Sequence, residues 1–184
     1  MRFGILGDAK IAREKLVPAL RKAGCDIVHL GRRDELASVS DDIWQGVKTG
    51  SYEDVLANPE VEAVYIPLPN HLHVPWSVRA MEAGKAVLCE KPIDLDINKV
   101  NECAERLKGN SVPIQLGFNR RFDPGHLSAK NSLIAGEIGN LHQCIITSRD
   151  PGLPSWDYLK VSGGQFRDMT IHDFDLARFM LGEE

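Results

Sequence analysis

The chain has 184 residues, 43% of them hydrophobic and 26% charged, with a net charge of −4 at pH 7. That composition can bury a sizeable core, and a mildly acidic chain without a lysine or arginine run argues against nucleic acid or a membrane surface as partner. No apolar stretch approaches the about 20 residues that span a bilayer, no leader-like segment opens the chain, and Cys25, Cys89, Cys103 and Cys144 lack the paired spacing of a metal or redox motif, so reduced thiols, no metal and a cytoplasmic location are expected.

Arg2 to Leu6 reads as a strand, followed by the turn Gly7-Asp8-Ala9-Lys10-Ile11-Ala12 and a helix from about Ala12 to Ala23 that Gly24 ends. A glycine-rich turn between a first strand and a first helix is where a dinucleotide fold admits a pyrophosphate, because small residues let it approach backbone N–H groups at a helix start. Here only Gly7 matches the fingerprint, with Ala9 and Ala12 at its second and third positions, so the spacing alone is a weak signal. The second strand, Asp26 to Leu30, leads into Gly31-Arg32-Arg33. An NAD site usually carries an acidic residue near this point for the ribose hydroxyl, whereas two permanently charged guanidinium groups suit a 2′-phosphate. NADP is therefore the expected cofactor, with NAD the alternative if the arginines only line a loop and Asp34 serves the ribose.

Ser38 to Gly50 reads as irregular, with Trp44 packed on the domain, and Ser51 to Leu56 as a brief helix opened by Ser51 and Asp54 at capping-box spacing. Ala63 to Pro67 is a short apolar strand stopped by Pro67 and Pro69, with Asn70, His71 and His73 beyond it. A helix from Trp76 to Ala83, closed by Gly84, leads to a second apolar strand, Ala86 to Cys89, which ends at Glu90-Lys91-Pro92. Strand, helix, strand is the unit of a parallel α/β sheet, and ligands sit beyond the carboxyl ends of such strands. By themselves Glu90 and Lys91 fit solvated strand-end charges equally well.

A helix over Asp94 to Lys108 and a strand from Pro113 to Phe118 follow, and the composition break at Gly117 to Gly125 is the expected domain boundary. Beyond it, His126 to Gly136 reads as a helix, Glu137 to Asn140 as a turn and Leu141 to Arg149 as a strand. Ser162-Gly163-Gly164 opens an apolar helix, roughly Gln165 to Leu181, on which Asp168 and His172 lie four apart and so share a face. Histidine is the usual base near neutral pH and a nearby carboxylate can orient it, although one histidine in an aspartate-rich helix is also a common structural feature.

Tyr65-Ile66-Pro67-Leu68-Pro69-Asn70-His71-Leu72-His73 with Glu90-Lys91-Pro92 resembles the signature of the Gfo/Idh/MocA oxidoreductases, and the Gly-x-Ala-x-Ile-Ala turn followed by Arg13 and Pro18 resembles their sugar-dehydrogenase branch. The run from Gly163 to Arg178 resembles the catalytic helix of the inositol dehydrogenases in that family. The resemblance implies a Rossmann-type doubly wound parallel sheet over residues 1–118, binding NADP or NAD, and the beginning of an α+β substrate domain over 119–184. Gly7, Ala9, Lys10, Ile11, Ala12, Arg32, Arg33, Pro67, Asn70, His73, Glu90 and Lys91 would serve the cofactor. Lys91, Asp168 and His172 would be catalytic, and one of Arg120 or Arg121, from a segment like the family's interdomain link and here assigned as Arg121, would join them at a polyol or sugar, with Asp168, Asp175, Asn70 and His73 at the pocket rim. The implied activity is an inositol 2-dehydrogenase-like hydride transfer. Family members are longer and oligomerise through substrate-domain strands that follow the catalytic helix, so a shortened chain is expected, and a nucleotide-binding module without turnover is the alternative reading.

Overall fold

An apolar run read as a strand has two faces, and in Arg2–Leu6 (β1) and Ala63–Ile66 (β4) both faces are buried almost throughout. Alternation sends Phe3, Ile5, Ala63 and Tyr65 into one hydrophobic cluster and Leu6, Val64 and Ile66 into another. A sheet covered on both faces is what a parallel arrangement requires. The structure, a computed structural model, describes residues 1–34, 42–149 and 152–182, and its chain divides into the units Met1–Gly117 and Phe118–Glu184.

The first unit is a six-stranded sheet in the order β3-β2-β1-β4-β5-β6, adding Asp26–Gly31 (β2), Lys48–Gly50 (β3), Ala86–Cys89 (β5) and Ile114–Leu116 (β6). Every pairing is parallel, and this strand order is that of the doubly wound dinucleotide fold. The connections include Val17–Lys22 (α1), Tyr52–Ala57 (α2), His73–Glu82 (α3) and Ile97–Arg106 (α4). A five-residue π-helical stretch, Ala12–Leu16, precedes α1, so the expected helix begins wide and tightens at Val17. Strand β3 is missed by the sequence reading because Lys48, Thr49 and Gly50 have no apolar alternation: it is an exposed edge strand. Residues 38–41 of the expected irregular stretch lie outside the described residues, and Trp44 is buried in the core as expected.

Two glycines let α2 approach the sheet. A Cβ on Gly4 would lie 2.4 Å from Val55 Cγ1, and one on Gly31 would lie 2.9 Å from both Tyr52 and Val55. The capping box is formed: Ser51 Oγ accepts from Asp54 N at 3.0 Å, while Asp54 Oδ2 accepts from Ser51 N at 2.9 Å.

The second unit contains Pro124–Ile134 (α5), Trp156–Val161 (α6), Gln165–Asp168 (α7) and Ile171–Leu181 (α8). Asp123 caps α5 by accepting from Gly125 N and His126 N, and Pro124 occupies the first turn, where its missing N–H costs nothing. Leu141 to Arg149, expected as a strand, runs without a ladder. Apolar alternation marks a segment able to pair, but a strand also needs a neighbour, and none pairs with it among the described residues. Nor is Gln165 to Leu181 one helix: Met169 and Thr170 both donate to the Gln165 carbonyl, and the helix breaks there.

Polar ties organise this unit. Arg121 grips Asp175 through Nε (3.0 and 2.9 Å) and Nη2 (2.7 Å), and Arg120 reaches both Ser148, at 2.8 Å, and Asp173. Among the described apolar residues of the unit only Leu176 is fully buried.

Substituting Gly4→Ala is expected to destabilise the first unit by about 1–3 kcal/mol, since the new methyl has no room beside Val55. Urea unfolding followed by circular dichroism should show a lower midpoint with an unchanged slope.

Candidate functional site

Gly7, Arg32, the loop from Pro67 and the pair Glu90 and Lys91 all follow the carboxyl ends of parallel strands and so lie along one end of the sheet. After β1 the chain turns at Gly7, which has φ +107° and donates its N–H to the Gly31 carbonyl at 2.9 Å. A Cβ there would lie 2.9 Å from Leu68 Cδ2, so both conformation and space call for glycine. The turn opens a cleft of about 340 Å³ whose walls include Gly7, Ala9, Arg32, Arg33, Pro67 and Leu68. Arg32 N–H donates to the Gly50 carbonyl at 2.9 Å, which fixes the backbone of the arginine pair at the end of β2.

Asp34 and Tyr52 share this cleft. Tyr52 stands edge-on to Trp76, with ring centroids 5.0 Å apart, and burial raises its phenol pKa above the ordinary value, so it stays a neutral donor. Asp8 would set a negative charge in a phosphate-binding turn, but its Oδ1 accepts from the Trp44 indole N–H at 3.0 Å and lies 3.7 Å from Arg13 Nε. No motif indicated that tie. Of the other turn residues, Ala12 is buried in the core, Ile11 is exposed, and Lys10 points outward to Glu14 at 3.8 Å.

At the ends of β4 and β5 the structure brings Tyr65, Glu90, Lys91 and His73 into one neighbourhood. The Tyr65 hydroxyl donates to Glu90 Oε1 at 2.6 Å, and burial, followed by the Glu90 charge, pushes the phenol pKa far up. Lys91 follows, half-buried, and Asn70 stands half-buried in the short 3-10 turn Asn70–Leu72. His73, expected at the rim, is instead 1% exposed. Its Nδ1 lies 2.6 Å from the Pro92 carbonyl and its Nε2 2.6 Å from the Leu68 carbonyl, so the ring is spent on main chain. His73 opens α3 between the segments that follow β4 and β5, and both carbonyls it meets lie in those segments. The cysteines are all free thiols, and burial pushes Cys89 up to about 12, leaving it protonated and inert at neutral pH.

In the second unit, Asp168 ends α7 and His172 lies in the first turn of α8. The break at Met169 and Thr170 interrupts the periodicity that would have stacked them on one face. Asp168 Oδ1 accepts from the Tyr158 hydroxyl at 2.6 Å, and the His172 ring meets Phe118 edge-on at 6.2 Å. Tyr158 carried no sequence signal, since it stands in a short exposed helix without a motif. Asp175 does not reach a rim: it is buried under the bidentate grip of Arg121, the residue expected at the substrate. Asp173, beside His172, joins Ser148 and Arg120. Burial alone would raise its pKa, but the Ser148 and Arg120 hydrogen bonds and the Arg120 charge outweigh burial and hold it below the ordinary carboxylate value.

Residues 1–118 match the sequence profile of the GFO/IDH/MocA oxidoreductase family, described as having an NAD-binding Rossmann fold, and residues 126–184 match that of a GFO/IDH/MocA C-terminal domain. The chain is 39% identical over its whole length to an inositol 2-dehydrogenase of Rhizobium meliloti (strain 1021), spanning 56% of that relative. It superposes on a myo-inositol dehydrogenase of Corynebacterium glutamicum with a TM-score of 0.86 at 37% identity, covering 98% of this chain and 54% of that one. A scyllo-inositol dehydrogenase of Lactobacillus casei, solved with NAD(H) and scyllo-inositol, gives 0.78 at 28% identity, covering 97% and 55%.

Because the folded pKa of Asp173 is depressed, its stabilising contribution is present above the ordinary value of 3.8 and is lost as pH falls through the lower folded value. Asp173→Asn should therefore lower the thermal midpoint of the second unit at pH 7, and the gap to wild type should narrow in melts taken at progressively lower pH below about 3.8.

Proposed function

The chain belongs to the Gfo/Idh/MocA oxidoreductase family, and on that premise we propose that it serves the dehydrogenation of a secondary alcohol on a cyclitol or sugar, with NADP as the preferred hydride acceptor. The observation that carries this reading is Lys91 at the end of β5, on the same sheet edge as a cleft walled by Gly7, Arg32 and Arg33. The cyclitol is supported by relatives named as inositol dehydrogenases.

A nicotinamide dinucleotide fits the residues present: the turn at Gly7, with φ +107°, carries no side chain where one would collide with Leu68. Gly7, Ala9 and the turn that follows would hold the pyrophosphate, Arg32 and Arg33 a ribose 2′-phosphate, and Glu90 with the loop from Pro67 to Asn70 the far half. When bound, that group supplies the hydride-accepting ring. The chain supplies position and field. Lys91 would donate to the reacting oxygen and stabilise the negative charge that develops there. His172 would take the hydroxyl proton, and Asp168, steadied by Tyr158, would accept from a neighbouring hydroxyl. Arg121 would act on the substrate only through the segment its pairing with Asp175 holds. NAD is the second reading, favoured by Asp34, which lines the same cleft as the arginine pair.

Titration with NADPH and NADH, followed by nicotinamide fluorescence, tests the assignment. NADPH should bind about 10- to 100-fold more tightly, and the Arg32→Ala, Arg33→Ala double variant should lose that preference. Equal affinities in both proteins would favour NAD through Asp34, and failure to bind either cofactor would overturn the reading. In a screen of myo-inositol, glucose and xylose, Lys91→Ala should lower turnover by about 100-fold or more.

A further inference from the structure

We infer that Lys91 is set in place by a brace of two buried side chains, Tyr65 holding the residue before it and His73 the residue after it. The functional weight of the brace rests on the proposed role of Lys91, whereas its geometry stands on its own. Tyr65 ends its β4 side chain in a 2.6 Å hydrogen bond to Glu90 Oε1. Glu90 has little room to swing away, since even a methyl on Gly117 would come within 3.0 Å of Glu90 Oε2. His73 approaches from α3 with both ring nitrogens 2.6 Å from carbonyl oxygens, those of Pro92 and Leu68. A carbonyl only accepts, so each contact uses a ring N–H; the neutral ring serves one carbonyl and the imidazolium serves both. Proline has no N–H of its own, which makes its carbonyl the one main-chain handle by which the position after Lys91 can be hydrogen-bonded.

The same imidazole lies between two parts of the site. Leu68 walls the cleft and touches the space left open by Gly7, while Pro92 ends the Lys91 peptide. Tyr65 and His73 touch neither cofactor nor substrate in this account, so they are positioning residues. A histidine in a motif full of polar residues invites a ligand role, but its burial assigns it to the support of the lysine.

Trace acylation of the full chain, read by mass spectrometry as the labelling of Lys91 relative to the exposed Lys10, separates positioning from bulk stability. His73→Gln and Tyr65→Phe should each raise that ratio by about tenfold, the order expected on losing one strong hydrogen bond. His29→Gln removes an equally buried histidine from β2 and should leave the ratio unchanged among folded molecules. Tyr65→Phe keeps the ring in the core, so at least one variant stays folded. An unchanged ratio in folded His73→Gln and Tyr65→Phe, or an equal rise in His29→Gln, would overturn the brace. NADPH titration of the same proteins reads the cofactor assignment separately: if wild type binds, the two brace variants should bind about tenfold more weakly. If wild type does not bind, the cofactor assignment falls and the acylation ratio still decides the brace.

Discussion

Parallel hydrogen bonding between β1 and its two neighbours, β2 and β4, is the constraint on which the rest of the first unit depends. Since every strand points the same way, every strand ends at the same edge, and residues far apart in sequence meet there: Gly7, Arg32, the loop after Ile66, and Glu90 with Lys91. The order reverses beside β1, so the crossovers leave in opposite directions and a crevice opens between them. Small residues serve that geometry. Gly4 and Gly31 let α2 sit close, and Gly7 lets the chain turn against Leu68. None of these glycines performs chemistry, yet without them the edge would be filled by side chains.

The second unit is held differently. With Leu176 its one fully buried apolar residue among those described, its segments are tied by charge and hydrogen bonds. Arg121 on Asp175 and Arg120 on Ser148 and Asp173 fasten the 3-10 turn Asn119–Phe122 to α8 and to the extended segment around Ser148. Exposed Ile134, Ile145, Trp156 and Phe166 fit the same picture. Arg121 is half-buried over the buried Asp175, so removing the arginine would strand a carboxylate in a protected place.

The strands β1, β2, β4 and β5 were legible because short apolar runs of four to six residues, stopped by glycine, proline or charge, fit a strand buried on both faces. The capping box at Ser51 and the helix-ending Gly24 and Gly84 were legible for the same local reason. What escaped was whatever depended on a partner. An edge strand such as Lys48–Gly50 has no pattern of its own, and Leu141 to Arg149 reads as a strand but finds no pairing neighbour among the described residues. At the site, residue types were readable but orientation was not. His73 looked like a ligand and lies buried against two main-chain carbonyls, Arg121 and Asp175 looked like pocket groups and pair with each other, and Tyr158 carried no signal at all. Side-chain direction is settled by packing, which a motif does not encode.

A nucleotide bound at the carboxyl ends of the strands, with Lys91 at its reacting end, should be visible in the backbone amides. Proton–nitrogen spectra of the labelled chain, recorded with and without NADPH, should shift signals in residues 7–12, 32–34, 68–72 and 90–91 while leaving Glu62 and Ala86, at the opposite ends of β4 and β5, in place. Shifts confined to the opposite end of the sheet, or scattered over the surface without the turn at Gly7, would contradict that placement.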